Sequence, residues 1–234
     1  MKVKKLSIII PSFNEGDTIL KVIKKVKSVT LGKIKKEIIV VDDGSTDKTA
    51  RILRNFQIPN SNFQILRHPE NLGKGAAIRS ALKKVTGDVV VIQDADLEYD
   101  PNEYQQLLKP ILDGKADVVY GSRFMGNAPH RVLYFWHMIG NKFLNLLSNS
   151  LTNLNLTDME TCYKMFTKDV ANKLTIQENR FGFEPEFTVK IARMNARVYE
   201  VGISYSGRSY EEGKKINWKD GVWALWCLIK YRFS

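Results

Sequence analysis

Through the first half of the chain, apolar positions fall into short unbroken runs separated by stretches of helical period. Leu6 to Ile10, Glu37 to Val41, Phe63 to Leu66, Asp88 to Ile92 and Asp117 to Tyr120 are strand-length runs, several of them β-branched and continuous enough for strands buried on both faces. Between them, Thr18 to Val29 repeats Ile19, Val22, Ile23 and Val26 on one helical face, and Thr46 to Phe56, Gly75 to Val85 and Asn102 to Leu112 have the same spacing. Strands alternating with helices predict βαβ units, and so an α/β fold with a mostly parallel, twisted central sheet and helices on both faces.

The second half has another rhythm. Arg131 to Leu154 is nearly uncharged and carries Leu133, Tyr134, Phe135, Trp136, Ile139, Phe143, Leu144, Leu146 and Leu147. A strand is predicted at Cys162 to Phe166, a helix near Pro185 to Met194, a strand at Arg197 to Ile203 and a polar loop from Gly207 to Gly213. The chain closes on Trp218 to Tyr231, where Trp223, Leu225, Trp226, Leu228 and Ile229 form an apolar helix flanked by lysines. Neither apolar segment has the roughly twenty uninterrupted apolar residues of a membrane span, so interfacial helices are expected. Trp218, Trp223, Trp226 and Tyr231 mixed with Lys219, Lys230 and Arg232 suit a membrane surface, whereas Tyr134, Phe135 and Trp136 fit ordinary core packing.

At 234 residues and 44% hydrophobic content the chain can build its own core. Cys162 and Cys227 lie too far apart in sequence to outline a disulfide framework or thiolate metal site, and Lys2, Lys4 and Lys5 run into only a strand-length apolar stretch, so no secretory signal is expected. A formal charge of +11 asks for an anionic partner: nucleic acid, a membrane surface or phosphate-bearing substrates. No zinc knuckle or aromatic RNA-binding motif is present, which disfavours nucleic acid.

Ligands of an open α/β sheet bind beyond the carboxyl ends of its strands. Polar clusters follow the predicted strands at Pro11-Ser12-Phe13-Asn14-Glu15, Asp42-Asp43-Gly44-Ser45-Thr46-Asp47, Gln93 to Glu98, and Gly121-Ser122-Arg123. Turn chemistry accounts for any one of them: Asp-Gly-Ser is a loop signal, and Ser45 fits a helix cap. Their recurrence on one predicted rim points to a site. Asp94, Asp96 and Glu98, just past the fourth strand, are hard oxygen donors that can collect a divalent cation and through it a diphosphate.

Together with Asn71-Leu72-Gly73-Lys74-Gly75, these motifs make the chain resemble the inverting family 2 glycosyltransferases of GT-A fold. Gly121-Ser122-Arg123-Phe124, the Asp158 to Lys164 motif and Arg208 to Ile216 make it similar to the polyprenyl-phosphate branch, the dolichol-phosphate mannose and glucose synthases. The resemblance runs from about Leu6 to Gly221. It implies that Pro11, Phe13, Glu15 and Asp43 hold the nucleobase and ribose, and that Lys74 and Gln93 are further substrate contacts. Asp94, Asp96 and Glu98 would hold Mg²⁺ or Mn²⁺, with Asp94 also meeting the diphosphate and Asp96 in a catalytic role. Asp158 and Lys164 would contact sugar and diphosphate, and Arg208 would lie on a lid. His68, His130 and His137 show no paired carboxylate motif or metal-ligand spacing and are expected to be structural or surface residues.

Acceptor chemistry fits this resemblance. A sugar hydroxyl needs a general base, whereas a phosphate monoester, with a second pKa near 6, is already ionised at neutral pH and needs only cationic positioning. Arg123 offers a planar fork for phosphate, with Arg131 near the headgroup. The expected layout is one catalytic domain over 1–217, its nucleotide half 1–120 and its acceptor half 121–217, followed by a membrane-associating helix at 218–234. The expected location is the cytoplasmic face of a membrane, with nucleotide sugar and polyprenyl phosphate as partners. GDP-mannose and UDP-glucose or UDP-N-acetylglucosamine remain open as donors, as does oligomeric state. Two rivals stand beside this reading: a transferase acting on a glycan hydroxyl with Asp158 or Glu160 as base, and a nonenzymatic membrane-surface scaffold.

Overall fold

The computed structural model describes residues 2–56, 62–126, 129, 131, 132, 134–208, 211 and 218–234. His130, Leu133 and, of the predicted polar loop and the motif after it, residues 209, 210 and 212–216 lie outside them. In chain order the elements are β1 (Lys5–Ser12), α1 (Ile19–Ser28), β2 (Lys35–Asp42), α2 (Thr49–Asn55), β3 (Phe63–Arg67), α3 (Lys74–Leu82), β4 (Val89–Ile92), α4 (Tyr104–Leu112), β5 (Val118–Ser122), α5 (Phe135–Thr152), β6 (Lys164–Thr167), α6 (Lys168–Lys173), α7 (Phe183–Arg193), β7 (Val198–Gly202) and α8 (Trp218–Phe233).

Seven strands form one sheet in the order β3-β2-β1-β4-β6-β5-β7. All neighbours pair in parallel except β6, which runs antiparallel to both β4 and β5. The apolar runs read from the sequence occupy its centre: Ile8 to Ile10 and Val89 to Ile92 are fully buried. Helix α1 buries Ile19, Val22, Ile23 and Val26, the face its spacing predicts, and α4 buries Tyr104, Leu107, Leu108 and Ile111. Helix α6 follows β6 directly, with Thr167 as an N-cap that accepts from the Val170 N–H.

The two apolar helices of the second half pack on each other and on α7. Helix α8 buries Ala224, Cys227, Leu228 and Tyr231 and exposes Val222, Trp223, Trp226, Ile229 and Phe233. Helix α5 corrects the expectation of core packing: Phe135 and Trp136 are 60% and 78% exposed, and Phe143 and Leu146 also face outward. Its inner stripe is the buried Ser148 flanked by the partly buried Leu144, Leu147 and Leu151. No helix among the described residues is long and apolar enough to cross a membrane.

Candidate functional site

The carboxyl ends of β1, β2, β4 and β5 deliver the polar clusters to one rim, and these clusters lock together. Asn14 Oδ1 accepts from the Thr46 N–H (2.9 Å), and Ser45 Oγ accepts from the Asn14 N–H (3.0 Å), so Ser45 ties two loops rather than capping α2. Gly44 adopts φ +68°, and a Cβ there would meet the Glu70 backbone at 2.2 Å, so only glycine makes this turn. Asp43 accepts from the Leu72 and Gly73 N–H groups (3.1 and 2.7 Å) and from His68 Nδ1 (2.6 Å), while His68 Nε2 meets Ser80 (2.9 Å). His68 is therefore structural, as expected, and its task is to hold Asp43.

The Asp94-to-Glu98 segment leaves β4 through a left-handed Leu97 (φ +67°), a conformation that side-chain-bearing residues adopt at a cost and that gathers at functional sites. Arg208 sits among its carboxylates: Nη2 donates to Asp96 Oδ2 (2.8 Å), Nε and the backbone N–H donate to Glu98 Oε1 (both 3.0 Å), and Nη1 approaches Glu15 Oε1 (3.4 Å). Tyr205 donates to the other Glu98 oxygen at 2.8 Å. Burial, then the charges of Asp94 and Glu98, push the Asp96 carboxyl up to about 7 against the pull of Arg208. Among the described residues no three His, Cys, Asp or Glu side chains are gathered into a cation cage. The donor chemistry nevertheless fits a hard divalent cation, because Asp94 and Glu98 oppose the ionisation of Asp96 and such an ion would relieve that crowding. Glu98 fits less well than expected, since Arg208 and Tyr205 hold both its oxygens.

Lys74, at the start of α3, bridges Asp94 (3.1 Å) and Glu184 of α7 (3.0 Å). Arg123 grips Asp158 through Nε and Nη2 (2.7 and 2.8 Å) and lies 5.2 Å from the centre of the Tyr205 ring. Glu160 has an unpartnered Oε1, and its carboxyl is pushed up to about 8 by burial and then by Glu184.

These groups surround a cavity of about 1020 Å³, at the upper end of the size of small-molecule sites. Pro11, Phe13, Glu15, Asp43, Lys74, Asp94, Asp96, Glu98, Arg123 and Arg208 all line it, and Arg208 spans from Asp96 and Glu98 to Glu15. Four expected contacts are not among its lining residues. Gln93 is fully buried and accepts from the Tyr104 and Tyr163 hydroxyls (2.8 and 2.7 Å), because the residue after β4 points into the core. Lys164 is fully buried, its ammonium donating to the Met159 and Thr161 carbonyls, so it braces the turn before β6. Asp158 is buried beneath Arg123, and Arg131 donates to the Gly207 carbonyl (3.1 Å).

The cavity also takes residues that sequence reasoning did not assign to it. Trp136, Phe143 and Leu144 of α5 and Val222, Ala224 and Leu225 of α8 form its apolar wall. Glu184 could have been found from the acidic pair in Phe183-Glu184-Pro185-Glu186, since charges in an otherwise apolar helical turn need partners. Nothing in the sequence distinguishes Tyr205 from its polar neighbours.

Residues 7–175 match the model of glycosyl transferase family 2. Among curated proteins, the chain is 26% identical over 227 residues to an uncharacterized protein of Methanocaldococcus jannaschii, covering 95% of this chain and 90% of that one. It is 28% identical over 223 residues to a dolichyl-phosphate beta-glucosyltransferase of Trichomonas vaginalis, covering 86% of this chain and 65% of that protein's length. Among solved structures, glucosyl-3-phosphoglycerate synthase of Mycobacterium tuberculosis, in complex with Mn²⁺, UDP and glucosyl-3-phosphoglycerate, superposes with a TM-score of 0.74 at 19% identity, over 98% of this chain and 80% of that one. Its complex with Mg²⁺ and UDP gives 0.73 at 19% identity, over 98% and 80%. The fold is the GT-A fold expected from the motifs.

Proposed function

This chain belongs to glycosyl transferase family 2, and from that premise we propose that it transfers a hexose from a nucleoside-diphosphate sugar, of UDP-glucose or GDP-mannose type, to a polyprenyl phosphate with inversion. One observation carries the acceptor: Trp136 and Phe143 line the cavity and are also 78% and 56% exposed. The polar base thus opens through an apolar rim, which Trp226, Ile229 and Phe233 of α8 extend on the outside. An acceptor with an ionised head and an apolar chain suits that gradient. The dolichyl-phosphate relative supports the same reading.

Pro11, Phe13, Glu15 and Asp43 receive the nucleobase and ribose, and Lys74 and Arg208 add positive charge beside the diphosphate. Asp94 and Asp96, with Glu98 in support, would hold Mg²⁺ or Mn²⁺, which when bound would supply positive charge to offset that of a departing nucleoside diphosphate. Arg123 draws the lipid phosphate, already ionised at neutral pH, to the anomeric carbon, while Arg131 braces the Gly207 carbonyl beside Arg208. Asp158 orients Arg123 instead of touching sugar. Residues 1–217 together with the inner face of α8 form the catalytic unit, and the outer face of α8 rests peripherally on the cytoplasmic face of a membrane, where lysine and arginine near anionic lipid contribute about 1 kcal/mol each.

Glu160 supports a second reading, transfer to a hydroxyl. A carboxyl with an unpartnered oxygen at the cavity, pushed up to about 8, has the character of a general base; Asp158, saturated by Arg123, does not. Glu160→Gln separates the two when assayed at saturating nucleotide sugar: abolished transfer favours a hydroxyl acceptor, and retained transfer favours the phosphate. A thermal-shift comparison of UDP and GDP with Mn²⁺ tests the donor, since the preferred nucleotide raises the apparent melting temperature. Metal-dependent nucleotide binding that Asp96→Ala abolishes would exclude the scaffold rival, and failure of both nucleotides to bind would favour it.

A further inference from the structure

We propose that Glu184 and Glu160 form the sugar-recognition floor of the cavity and select a neutral hexose, through its hydroxyl groups, over a hexuronic acid. The inference rests on the transferase reading and adds to it the residues that select the sugar.

Glu184 lies in the first turn of α7 and is 3% exposed, yet it lines the cavity. Its Oε1 accepts from Lys74 at 3.0 Å, while Oε2 is buried and has no hydrogen-bond partner. Glu160, in the turn that precedes β6, also lines the cavity and leaves Oε1 unpartnered. A buried acceptor without a donor costs about 1–3 kcal/mol, more when charged. Two such atoms on residues that line one cavity mark a place where a ligand brings donors, and hexose hydroxyls are donors of the right kind.

The position agrees. Lys74 Nζ lies 3.0 Å from Glu184 and 3.1 Å from Asp94, so one ammonium separates the floor from the carboxylates assigned to the diphosphate end. A sugar joined to that diphosphate therefore reaches the floor. Each glutamate accepts from a hydroxyl; a hexuronate would set a second carboxylate against Glu184, and like charges at close range are repulsive.

The test is calorimetric titration, with Mn²⁺, of wild type, Glu184→Ala, Glu184→Gln and Glu160→Gln. The ligands are whichever nucleoside diphosphate binds, UDP or GDP, its hexose conjugate, and for UDP the glucuronic acid conjugate. The expected result is that Glu184→Ala keeps nucleoside-diphosphate affinity within about 2-fold but loses 10-fold or more for the nucleotide hexose. Wild type prefers the hexose over the hexuronate, and Glu184→Gln narrows that preference. Equal weakening toward nucleotide and nucleotide hexose overturns the inference, because the glutamate then only balances Lys74. Should Glu184→Ala fail to fold, Glu160→Gln decides by the same comparison. Absence of any nucleotide binding by wild type overturns the transferase reading, and this inference with it.

Discussion

Arg123 and Asp158 form a closed pair, in which Nε, Nη2 and the backbone N–H of the arginine all donate to the one carboxylate, at 2.7, 2.8 and 2.9 Å. Glu200 of β7 holds the aspartate from behind by accepting the Thr157 and Asp158 N–H groups (2.9 and 3.1 Å). The edge strand of the sheet thereby fixes the direction of a guanidinium at the cavity wall.

Asp158→Asn is expected to raise the KM for acceptor about 10-fold or more and to leave nucleotide affinity unchanged, because the amide cannot hold the guanidinium through two acceptors. Asp158→Ala goes further and leaves a buried charge unpaired, a loss of about 3–5 kcal/mol of stability. Steady-state kinetics with varied acceptor, beside a denaturant melt, checks both. Loss of nucleotide binding in Asp158→Asn would place the aspartate on the donor instead.

Arg208 neutralises Asp96, Glu98 and Glu15. In Arg208→Ala these carboxylates repel one another, so the metal-free protein melts lower and Mn²⁺ raises its melting temperature by more than in wild type. Transfer falls about 100-fold or more, as when a charge at a developing anion is removed. An unchanged Mn²⁺ shift, read by thermal scanning, would show that arginine and cation do not share the site.

Glu160 gives stability a pH dependence of known sign. Its carboxyl ionises near 4.5 when unperturbed and near 8 in the fold, so the folded state keeps the proton longer. Its contribution is complete below about 4.5 and is lost as pH rises toward 8, with a slope of at most about 1.4 kcal/mol per pH unit. Asp96 acts in the same direction up to about 7. Melting temperature without metal should fall from pH 5 to 9 in wild type and fall less in Glu160→Gln; parallel curves would contradict the assignment.

Trp226→Glu with Ile229→Glu alters the outer face of α8 without touching the cavity wall. Co-sedimentation with vesicles rich in anionic phosphatidylglycerol should drop about 10-fold or more, while nucleotide binding in solution stays. Undiminished sedimentation would remove α8 from the membrane contact.

Much of this was legible in the chain. The unbroken run Ile8 to Ile10 and the period of Ile19, Val22, Ile23 and Val26 fixed strand and helix correctly, because burial on two faces or on one leaves different spacings. Strand order was not legible: β6 inserts antiparallel between β4 and β5, and alternation along the chain carries no record of lateral neighbours. The rim aspartates could be expected from their place after strands, yet Gln93, equally placed, turns inward to two tyrosines. An apolar helix has the same composition whether it faces protein or lipid, which is why Trp136 was expected inside and lies outside. Lys74 and Glu184 stand far apart in sequence and meet only through the packing of α7, so their ion pair left no local sign.

The central claim is transfer of a hexose to an ionised lipid phosphate. Its most direct test incubates the purified protein with UDP-glucose or GDP-mannose, a short polyprenyl phosphate and Mn²⁺, and follows the lipid by mass spectrometry and proton NMR. The account predicts a polyprenyl-phosphate hexose with the anomeric configuration inverted to β, formed by wild type and lost in Arg123→Ala. Donor consumption with no lipid product, while a glycan hydroxyl is glycosylated, would contradict it.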